Sequence, residues 1–389
     1  MQSQQLKKIL QTSLVIFAML FGAGNLIFPL KVGLISGDKT MWGLTGFIVT
    51  GVLLPLLGLL TIIAFDGDYN AFFGRVGKIP GAALTFFCMM TLGPLIVMPR
   101  IIGLSYEMLS PFLPSIPVWL FSAIFLGLVF AVTYKPRRLL DIIGKFLSPL
   151  KVASLVLIIT VGLVKCGTRL PSEFSGWSLF ATGANYGYKT LDLLGTIFFG
   201  SIIVKLLSIT PEFKLSIKER IKTAALAGIG AATLLGLVYV GMGFLAAFNG
   251  VGLEHVNEGQ LFSMISFRVL GVYGAALIGF TVFLACFTTT VALTAVVTEY
   301  VQVNMLHNKC TYLSVLIGVL ATTFVPASLG LSAILQFSGP IIEAMYPVII
   351  VVSVCNALYK IFDFKMIKVP VLISFIFVII KAISSLFLA

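Results

Sequence analysis

The most regular feature of the chain is a series of long apolar runs separated by short polar connections. Most runs are about 20 residues long, enough for an α-helix to cross a hydrocarbon core of ~30 Å. They lack the alternating apolar and polar residues of barrel strands, and lipid offers no hydrogen-bond partners to backbone N–H and C=O groups. Helices are therefore predicted. The predicted spans are eleven, at residues 12–35, 42–64, 81–107, 117–134, 147–165, 186–209, 223–248, 268–303, 311–326, 330–358 and 369–388.

The composition agrees with a chain made almost entirely of spans. The 389 residues are 59% hydrophobic and 10% charged, and the mean hydropathy is +1.10. No connection is long enough to hold a soluble domain. We therefore predict an all-α polytopic membrane protein in which residues 1–389 form a single transmembrane domain.

The net charge of +12 would suit a nucleic-acid partner, but the distribution of basic residues explains it better. With the N-terminus inside, eighteen Lys and Arg, Lys151 among them, lie on the inner side of the predicted spans and six on the outer side. The positive-inside rule then predicts a cytoplasmic N-terminus. An odd number of spans places the C-terminus outside, and no nucleic-acid partner is expected.

The first span contains the stretch MLFGAGNLIFP at residues 19–29, which is unusual for a helix in lipid. Gly22, Gly24, Asn25 and Pro29 favour a break, which would free backbone groups for an ion and a polar ligand. Such a break is tolerated only where it is buried in protein or lines a cavity. The alternative is a helix-packing site built from small residues.

A faint repeat supports two halves of opposite topology. Residues 18–22 read AMLFG and residues 196–200 read TIFFG, each at the head of five predicted spans. This pattern predicts inverted repeats over about 12–165 and 186–358, with an extra helix at 369–388. A second break is expected around Thr196, Phe198, Phe199 and Gly200, whose side chains face either a ligand or neighbouring helices.

The eighth span holds a candidate cation site. Ala285, Thr288 and Thr289 fall at positions i, i+3 and i+4, on one helix face. Two hydroxyls with a nearby carbonyl suit Na⁺, although threonine hydroxyls in helices also bond back to the carbonyl four residues earlier.

Charged residues within the predicted spans are candidates for gates or ion pairs, because charges in lipid are costly. Asp192 lies near the outer end of the sixth span, where gating or pairing is favoured over ion binding. Arg100 and Glu107 are seven residues apart and share a face. Glu107 or Glu343 could pair with Arg100, either as a structural ion pair or as a gate.

Signatures of other functional classes are missing from the sequence. His255 and His307 lie in predicted loops, far from any nucleophile motif. No phosphate-binding loop or potassium-channel filter motif occurs. The chain is therefore predicted to be neither an enzyme nor an ATP-driven pump.

Five motifs, in order, resemble the bacterial branched-chain amino acid:cation symporter family of the amino acid–polyamine–cation group. They are FGAGNLIFP, GPLIVMPR with SYE, GYKTLD with FFG, LACFTTTVALTAVVTEY and GLSAILQFSGPIIEAMYP. The resemblance implies Na⁺- or H⁺-coupled import of leucine, isoleucine and valine across a bacterial inner membrane. It also implies a five-plus-five inverted-repeat (leucine-transporter-type) helical bundle of 11–12 helices with discontinuous helices 1 and 6, and no cofactor beyond the coupling ion. The family usually has Pro-Pro after FGAGNLIF, whereas Leu30 follows Pro29 here.

The resemblance also implies residue roles. The Ala18, Phe21 and Ala285 carbonyls and the Thr288 and Thr289 hydroxyls would hold one Na⁺. A second group would line the substrate site, with backbone N–H groups facing the substrate carboxylate: Leu20, Gly22, Ala23, Gly24, Asn25, Thr196, Phe198, Phe199 and Gly200.

Three functions are compatible with these features. The first is cation-coupled import of a branched-chain amino acid, with lipid as the surroundings and no obligate protein partner. The second is an ion-independent exchanger or exporter, whose flux would ignore the Na⁺ gradient. The third is a non-transporting membrane sensor, which would bind amino acid without flux.

Overall fold

A computed structural model describes residues 2–113, 115–134, 148–165, 167–169, 171–209 and 217–387. Helices joined by short connections account for the regular structure of these residues. The α-helices are α1 (Gln2–Leu20), α2 (Ala23–Ser36), α3 (Thr40–Ile48), α4 (Leu54–Ala64), α5 (Tyr69–Gly74), α6 (Lys78–Met90), α7 (Val97–Leu109), α8 (Val118–Thr133), α9 (Ser148–Val164), α10 (Gly176–Tyr188), α11 (Asp192–Ile209), α12 (Ile217–Asn249), α13 (Glu258–Tyr300), α14 (Tyr312–Ala327), α15 (Leu331–Phe362) and α16 (Lys368–Phe387).

Helical segments overlap all eleven predicted spans, but α5, most of α10 and the first part of α13 lie between predicted spans. Among the described residues, six segments are long and apolar enough to cross a membrane by length and composition, and five shorter apolar helices accompany them. Helix α13 bends sharply at Gly271, where φ is 69°. This bend lies near the start of the predicted eighth span, so only the later part of α13 corresponds to that span.

The first predicted span is broken as the sequence indicates. Helix α1 ends at Leu20 and α2 begins at Ala23. Gly22 is extended, with φ −106° and ψ −160°. The backbone N–H of Gly22 donates to the Asn25 side-chain oxygen at 2.8 Å. Asn25 therefore caps the second half-helix, which explains its place in the motif.

The second break lies earlier in the chain than expected. Helix α10 ends at Tyr188 and α11 begins at Asp192, and Leu191 between them has φ 66°. The Thr190 hydroxyl donates to the Gly187 carbonyl at 2.8 Å and helps to end α10. The expectation of a break around residues 196–200 was wrong, because these residues lie inside α11.

The third span is interrupted at Gly93-Pro94. Gly93 has non-helical dihedral angles (φ −90°, ψ −120°), and a π-helical turn over Thr91–Leu95 separates α6 from α7. Proline has no N–H to donate into the helix, which accounts for the local rearrangement. The interruption sets the orientation of α7, the helix that carries Arg100.

Several helices approach one another so closely that only glycine fits. A Cβ at Gly33 of α2 would lie 1.9 Å from the Gly243 carbonyl oxygen of α12. A Cβ at Gly183 of α10 would lie 1.8 Å from the Gly43 carbonyl oxygen of α3. These contacts hold the two broken regions in a fixed frame, as small residues do at membrane helix interfaces.

We expect Gly33→Ala to lower the thermal stability of the protein in detergent, because the added methyl would push α2 from α12. Overpacking of this kind costs about 1–3 kcal/mol. The matched control is Gly127→Ala in α8, where a Cβ would meet nothing within 4 Å. Equal melting temperatures for the two variants would contradict the importance of this contact.

Candidate functional site

A small internal cavity of about 30 Å³ lies where the two broken regions meet. Helices α1, α2, α7, α11 and α13 contribute to it, together with the segment between α10 and α11. Its walls are Met19, Leu20, Gly22, Ala23, Gly24, Asn25, Leu92, Val97, Arg100, Ile101, Thr190, Leu191, Asp192, Gly195, Phe199, Thr289 and Leu293. The wall therefore combines aliphatic side chains with backbone groups of both breaks and two opposite charges.

Six of the predicted substrate residues border this cavity: Leu20, Gly22, Ala23, Gly24, Asn25 and Phe199. The other three face elsewhere. Phe198 packs against Tyr69 and Phe73 at ring-centroid distances of 5.4 and 6.0 Å. Gly200 lies against Ile62 and Leu59 of α4. The Thr196 hydroxyl donates to the Leu193 carbonyl at 2.8 Å.

Asn25, Asp192 and Tyr239 form a buried hydrogen-bonded cluster beside the first break. The Asn25 side-chain N–H donates to Asp192 Oδ2 at 2.7 Å, and Asn25 also donates to the Tyr239 hydroxyl. Tyr239 donates to the same Oδ2 at 2.7 Å. All three side chains are at most 3% exposed. The cluster connects α2, α11 and α12, so it fixes the position of the first break relative to the second.

Arg100 bridges the same two breaks from α7. Its guanidinium donates to the Lys189 carbonyl at 3.0 Å and to the Thr190 carbonyl at 3.3 Å. These carbonyls belong to the break between α10 and α11. The guanidinium also lies 5.5 Å from the Phe28 ring centroid. Arg100 is 1% exposed, and its Nε has no hydrogen-bond partner among the described residues.

The expected carboxylate partners of Arg100 have other contacts. Glu107 lies beside Gly259, where an added Cβ would come within 3.1 Å of the Glu107 side chain. Glu343 lies 3.9 Å from the Lys189 ammonium. The hydrogen bonds of Arg100 go to the Lys189 and Thr190 carbonyls instead, because the break between α10 and α11 leaves these carbonyls free to accept them.

The predicted cation position contains a lysine side chain. The Lys151 ammonium of α9 donates to the Phe21 carbonyl at 2.9 Å and to the Ala18 carbonyl at 3.2 Å. Lys151 is 4% exposed and lies 5.4 Å from the Phe21 ring centroid. The expectation that Lys151 belongs to the inner basic residues near the membrane surface was wrong, since the side chain is buried in the bundle.

The threonines of α13 bond within their own helix. The Thr288 and Thr289 hydroxyls donate to the Ala285 carbonyl at 2.9 and 3.1 Å. Thr289 also borders the central cavity. The alternative of bonding back to an earlier carbonyl therefore describes both hydroxyls in this structure.

A larger vestibule of about 370 Å³ lies next to the central cavity. Phe28, Tyr186, Lys189, Glu258 and residues of α15 line it. Arg100 borders both this vestibule and the central cavity. The guanidinium thus stands at the boundary between the two spaces.

A cluster around Arg75 ties α5 to the end of α15. The Arg75 guanidinium donates to Asn356 Oδ1 at 2.9 Å and to the Phe364 carbonyl at 3.2 Å. It also stacks 3.8 Å from the centroid of the Tyr359 ring. These contacts join the segment between α4 and α6 to the C-terminal end of α15.

Sequence reasoning missed several wall residues of the cavity, such as Ile101 and Thr190, and two polar side chains that bond to predicted site residues, Lys151 and Tyr239. Lys151 stands at the start of an apolar run, where a basic residue usually marks the membrane surface. Tyr239 is one aromatic among many in a long apolar helix. Its hydroxyl within a span is a signal that could have been noticed, but nothing local reveals its partners.

The fold and the site together define a polytopic helical membrane protein with two broken helices around an internal cavity. Comparison with known proteins gives the family. The family model described as "Branched-chain amino acid transport protein" matches residues 5–389. The chain belongs to this family, so it is a transport protein rather than an enzyme, and the family prediction is confirmed.

Individual relatives agree with the assignment. The branched-chain amino acid permease BrnQ of Bacillus subtilis (strain 168) is 31% identical over 367 residues, covering 92% of this chain and 82% of the relative. The permease BraB of the same organism is 30% identical over 357 residues, covering 90% and 79%.

A solved structure supports the fold class. The inward-facing conformation of Mhp1 matches with a TM-score of 0.62 at 15% identity, covering 92% of this chain and 77% of that one. The predicted inverted-repeat, leucine-transporter-type bundle is therefore confirmed.

Proposed function

We propose that the chain is a secondary active importer of leucine, isoleucine and valine that works by alternating access. The observation that carries this proposal is the central cavity, which places backbone groups of two broken helices beside aliphatic walls. Such breaks are where transporters of this fold bind polar substrate groups. The relatives named as branched-chain amino acid permeases support the substrate class. An aliphatic pocket distinguishes one methylene by only ~1–3 kcal/mol, so the three substrates are expected to compete.

The position of Lys151 supports a proposal for the coupling ion. Its ammonium donates to the Ala18 and Phe21 carbonyls, the two carbonyls that the first broken span would offer to Na⁺. Two positive charges roughly 3 Å apart repel by about 5 kcal/mol at an effective dielectric constant near 20. Na⁺ and the charged lysine would therefore exclude each other. We propose H⁺ as the coupling ion, with the predicted Na⁺ ligands as the alternative to be tested.

A proton could reach this position on Lys151 itself. The Cys286 thiol of α13 interacts electrostatically with the Lys151 ammonium. Release of the proton would remove the charge that holds the Ala18 and Phe21 carbonyls together, which would loosen the first break. Proton binding and substrate binding would then be coupled through the same segment, and such coupling is reciprocal.

The bacterial permease relatives support a bacterial inner membrane as the location, and the charge distribution supports a cytoplasmic N-terminus. In that orientation the vestibule lies towards the outer side, and the Arg75 cluster lies towards the cytoplasmic side.

The test is uptake of labelled leucine into proteoliposomes containing the purified protein. We expect accumulation with an inward H⁺ gradient in Na⁺-free buffer, and no further accumulation when a Na⁺ gradient is added. Accumulation that requires Na⁺ would overturn H⁺ coupling and restore the site of Ala18, Phe21, Ala285, Thr288 and Thr289. Flux that ignores both gradients would identify an exchanger, and binding without flux would identify a sensor.

A further inference from the structure

Two oppositely charged side chains, Arg100 and Asp192, border the same small cavity. They come from different helices, and both are at most 3% exposed. A buried charge is costly unless another charge or several hydrogen bonds compensate it. What compensates each of these charges therefore indicates what the cavity is built to bind.

Arg100 interacts electrostatically with Asp192 and Glu258 but has no carboxylate among its described hydrogen-bond partners, and it lies close to the start of α2. Its two described hydrogen bonds go to neutral carbonyls, and the buried Nε–H has no partner among the described residues. A Cβ placed on Gly24 would lie 2.8 Å from Arg100 Nη2. The guanidinium thus stands next to the first turn of α2, where free backbone N–H groups also favour an anion.

Asp192 shows the complementary situation. The hydrogen bonds that its carboxylate accepts from Asn25 and Tyr239 come from neutral groups, and both go to Oδ2. These bonds orient the carboxylate at the edge of the cavity, and its charge is offset by Arg100 through space rather than by a salt-bridge contact among the described residues. A small cation that enters the cavity would therefore be attracted to Asp192.

The two charges are close enough for one small molecule to contact both. Asp192 is held by Asn25, and Arg100 lies next to Gly24, the preceding residue. Arg100 also bonds to the Thr190 carbonyl, two residues before Asp192. A free α-amino acid carries an ammonium and a carboxylate on the same carbon, so its two charged groups can face two opposite charges that border one small cavity.

We propose that Arg100 and Asp192 recognise the two charged ends of the zwitterionic substrate. Arg100, with the N–H groups at the start of α2, binds the carboxylate, and Asp192 binds the ammonium. This inference rests on the proposed function and adds the basis for selecting amino acids over the corresponding acids and amines. The aliphatic side chain then points to the apolar wall formed by Leu20, Ile101 and Phe199.

The proposal also gives Arg100 a role in substrate entry. The central cavity of about 30 Å³ holds one or two water molecules and must widen to admit leucine. Arg100 stands between this cavity and the vestibule. An arriving carboxylate can replace the Lys189 and Thr190 carbonyls as its partner, which releases the contact between α7 and the second break.

The test compares leucine with two analogues in competition against labelled leucine on the full-length protein in proteoliposomes. 4-Methylpentanoate lacks the ammonium, and 3-methylbutylamine lacks the carboxylate. Each analogue loses the hydrogen bonds between one charged end of leucine and its binding residue. The loss should weaken competition by about 10- to 100-fold in the unmodified protein. Equal competition by leucine and either analogue would overturn the proposal without any variant.

The variants should show a crossed pattern. Asp192→Asn should reduce the preference for leucine over 4-methylpentanoate by at least about tenfold and retain the preference over 3-methylbutylamine. Arg100→Gln should do the reverse. A residue with a purely structural role would weaken all three ligands together. Asp192→Glu and Arg100→Lys retain charge and should recover part of the preference.

Exposed charges provide matched controls. Glu173→Gln and Lys78→Gln remove one charge each at exposed positions and should leave both preferences unchanged. If Asp192→Asn or Arg100→Gln does not fold, the analogue series on the unmodified protein and the charge-retaining variants decides the question. Absence of leucine binding by the unmodified protein would refute the proposed function, whereas normal leucine binding with uncrossed preferences would refute only this inference.

Discussion

Lys151→Ala is expected to abolish proton-driven leucine accumulation and to make leucine binding respond to Na⁺. The substitution removes the ammonium that donates to the Ala18 and Phe21 carbonyls. Uptake under an H⁺ gradient should fall by about 100-fold or more, because the proposed proton-carrying group is absent and the two carbonyls it held, each costing ~1–3 kcal/mol when buried and unpaired, no longer fix the first break. The freed carbonyls would then be available to Na⁺, together with groups of α13.

The measurement is leucine uptake and binding with and without Na⁺, on equal amounts of folded protein. Lys165→Met is the matched control, because Lys165 lies just after the same helix and its ammonium bonds to the Val269 carbonyl at 3.0 Å, outside the site. Thr289→Ala in the Lys151→Ala background should remove the Na⁺ response. Unchanged proton-driven uptake by Lys151→Ala protein would exclude this lysine as the coupling group.

The two breaks show what the sequence can and cannot predict. The first break has local causes: Gly22 takes an extended conformation, and Asn25 caps the following helix three residues later. Both effects can be read from FGAGN. The second break contains neither glycine nor proline at residues 189–191. Its one local feature is the Thr190 hydroxyl bond to Gly187, which the sequence does not single out, and Arg100 of another helix holds its carbonyls. The repeated Phe-Gly pair drew the prediction to the wrong place.

For the charged residues, too, the sequence reveals the local feature but not the distant partner. The sequence indicated that Arg100 and Asp192 were functional because charges in spans are rare. It could not supply their partners, which lie far away in the chain. Asp192 is bonded to Asn25 and Tyr239, 167 and 47 residues distant. Lys151 was counted with the inner basic residues, since only the folded bundle brings it to the carbonyls at residues 18 and 21.

Gly24→Val is expected to eliminate leucine transport while leaving the helical bundle folded. A Cβ at this position would lie 3.0 Å from the Thr190 Cα and 2.8 Å from Arg100 Nη2. The arginine end group can move, but the Thr190 backbone belongs to the second break and cannot yield without displacing it. The two breaks would separate by a few tenths of an ångström or more, and binding groups displaced by about 1 Å can lose 100-fold in rate.

Uptake of labelled leucine per folded molecule measures this effect, with an unchanged size-exclusion profile as the criterion for folding. The matched control is Gly236→Val in α12, where the nearest neighbours of a Cβ are Val52 side-chain atoms at 3.9 and 4.0 Å. Both changes add the same three carbons to a helix, so propensity costs cancel in the comparison. Equal uptake by the two variants would show that contact between the breaks is not required, and a loss confined to Gly24→Val would place the transport step at their junction.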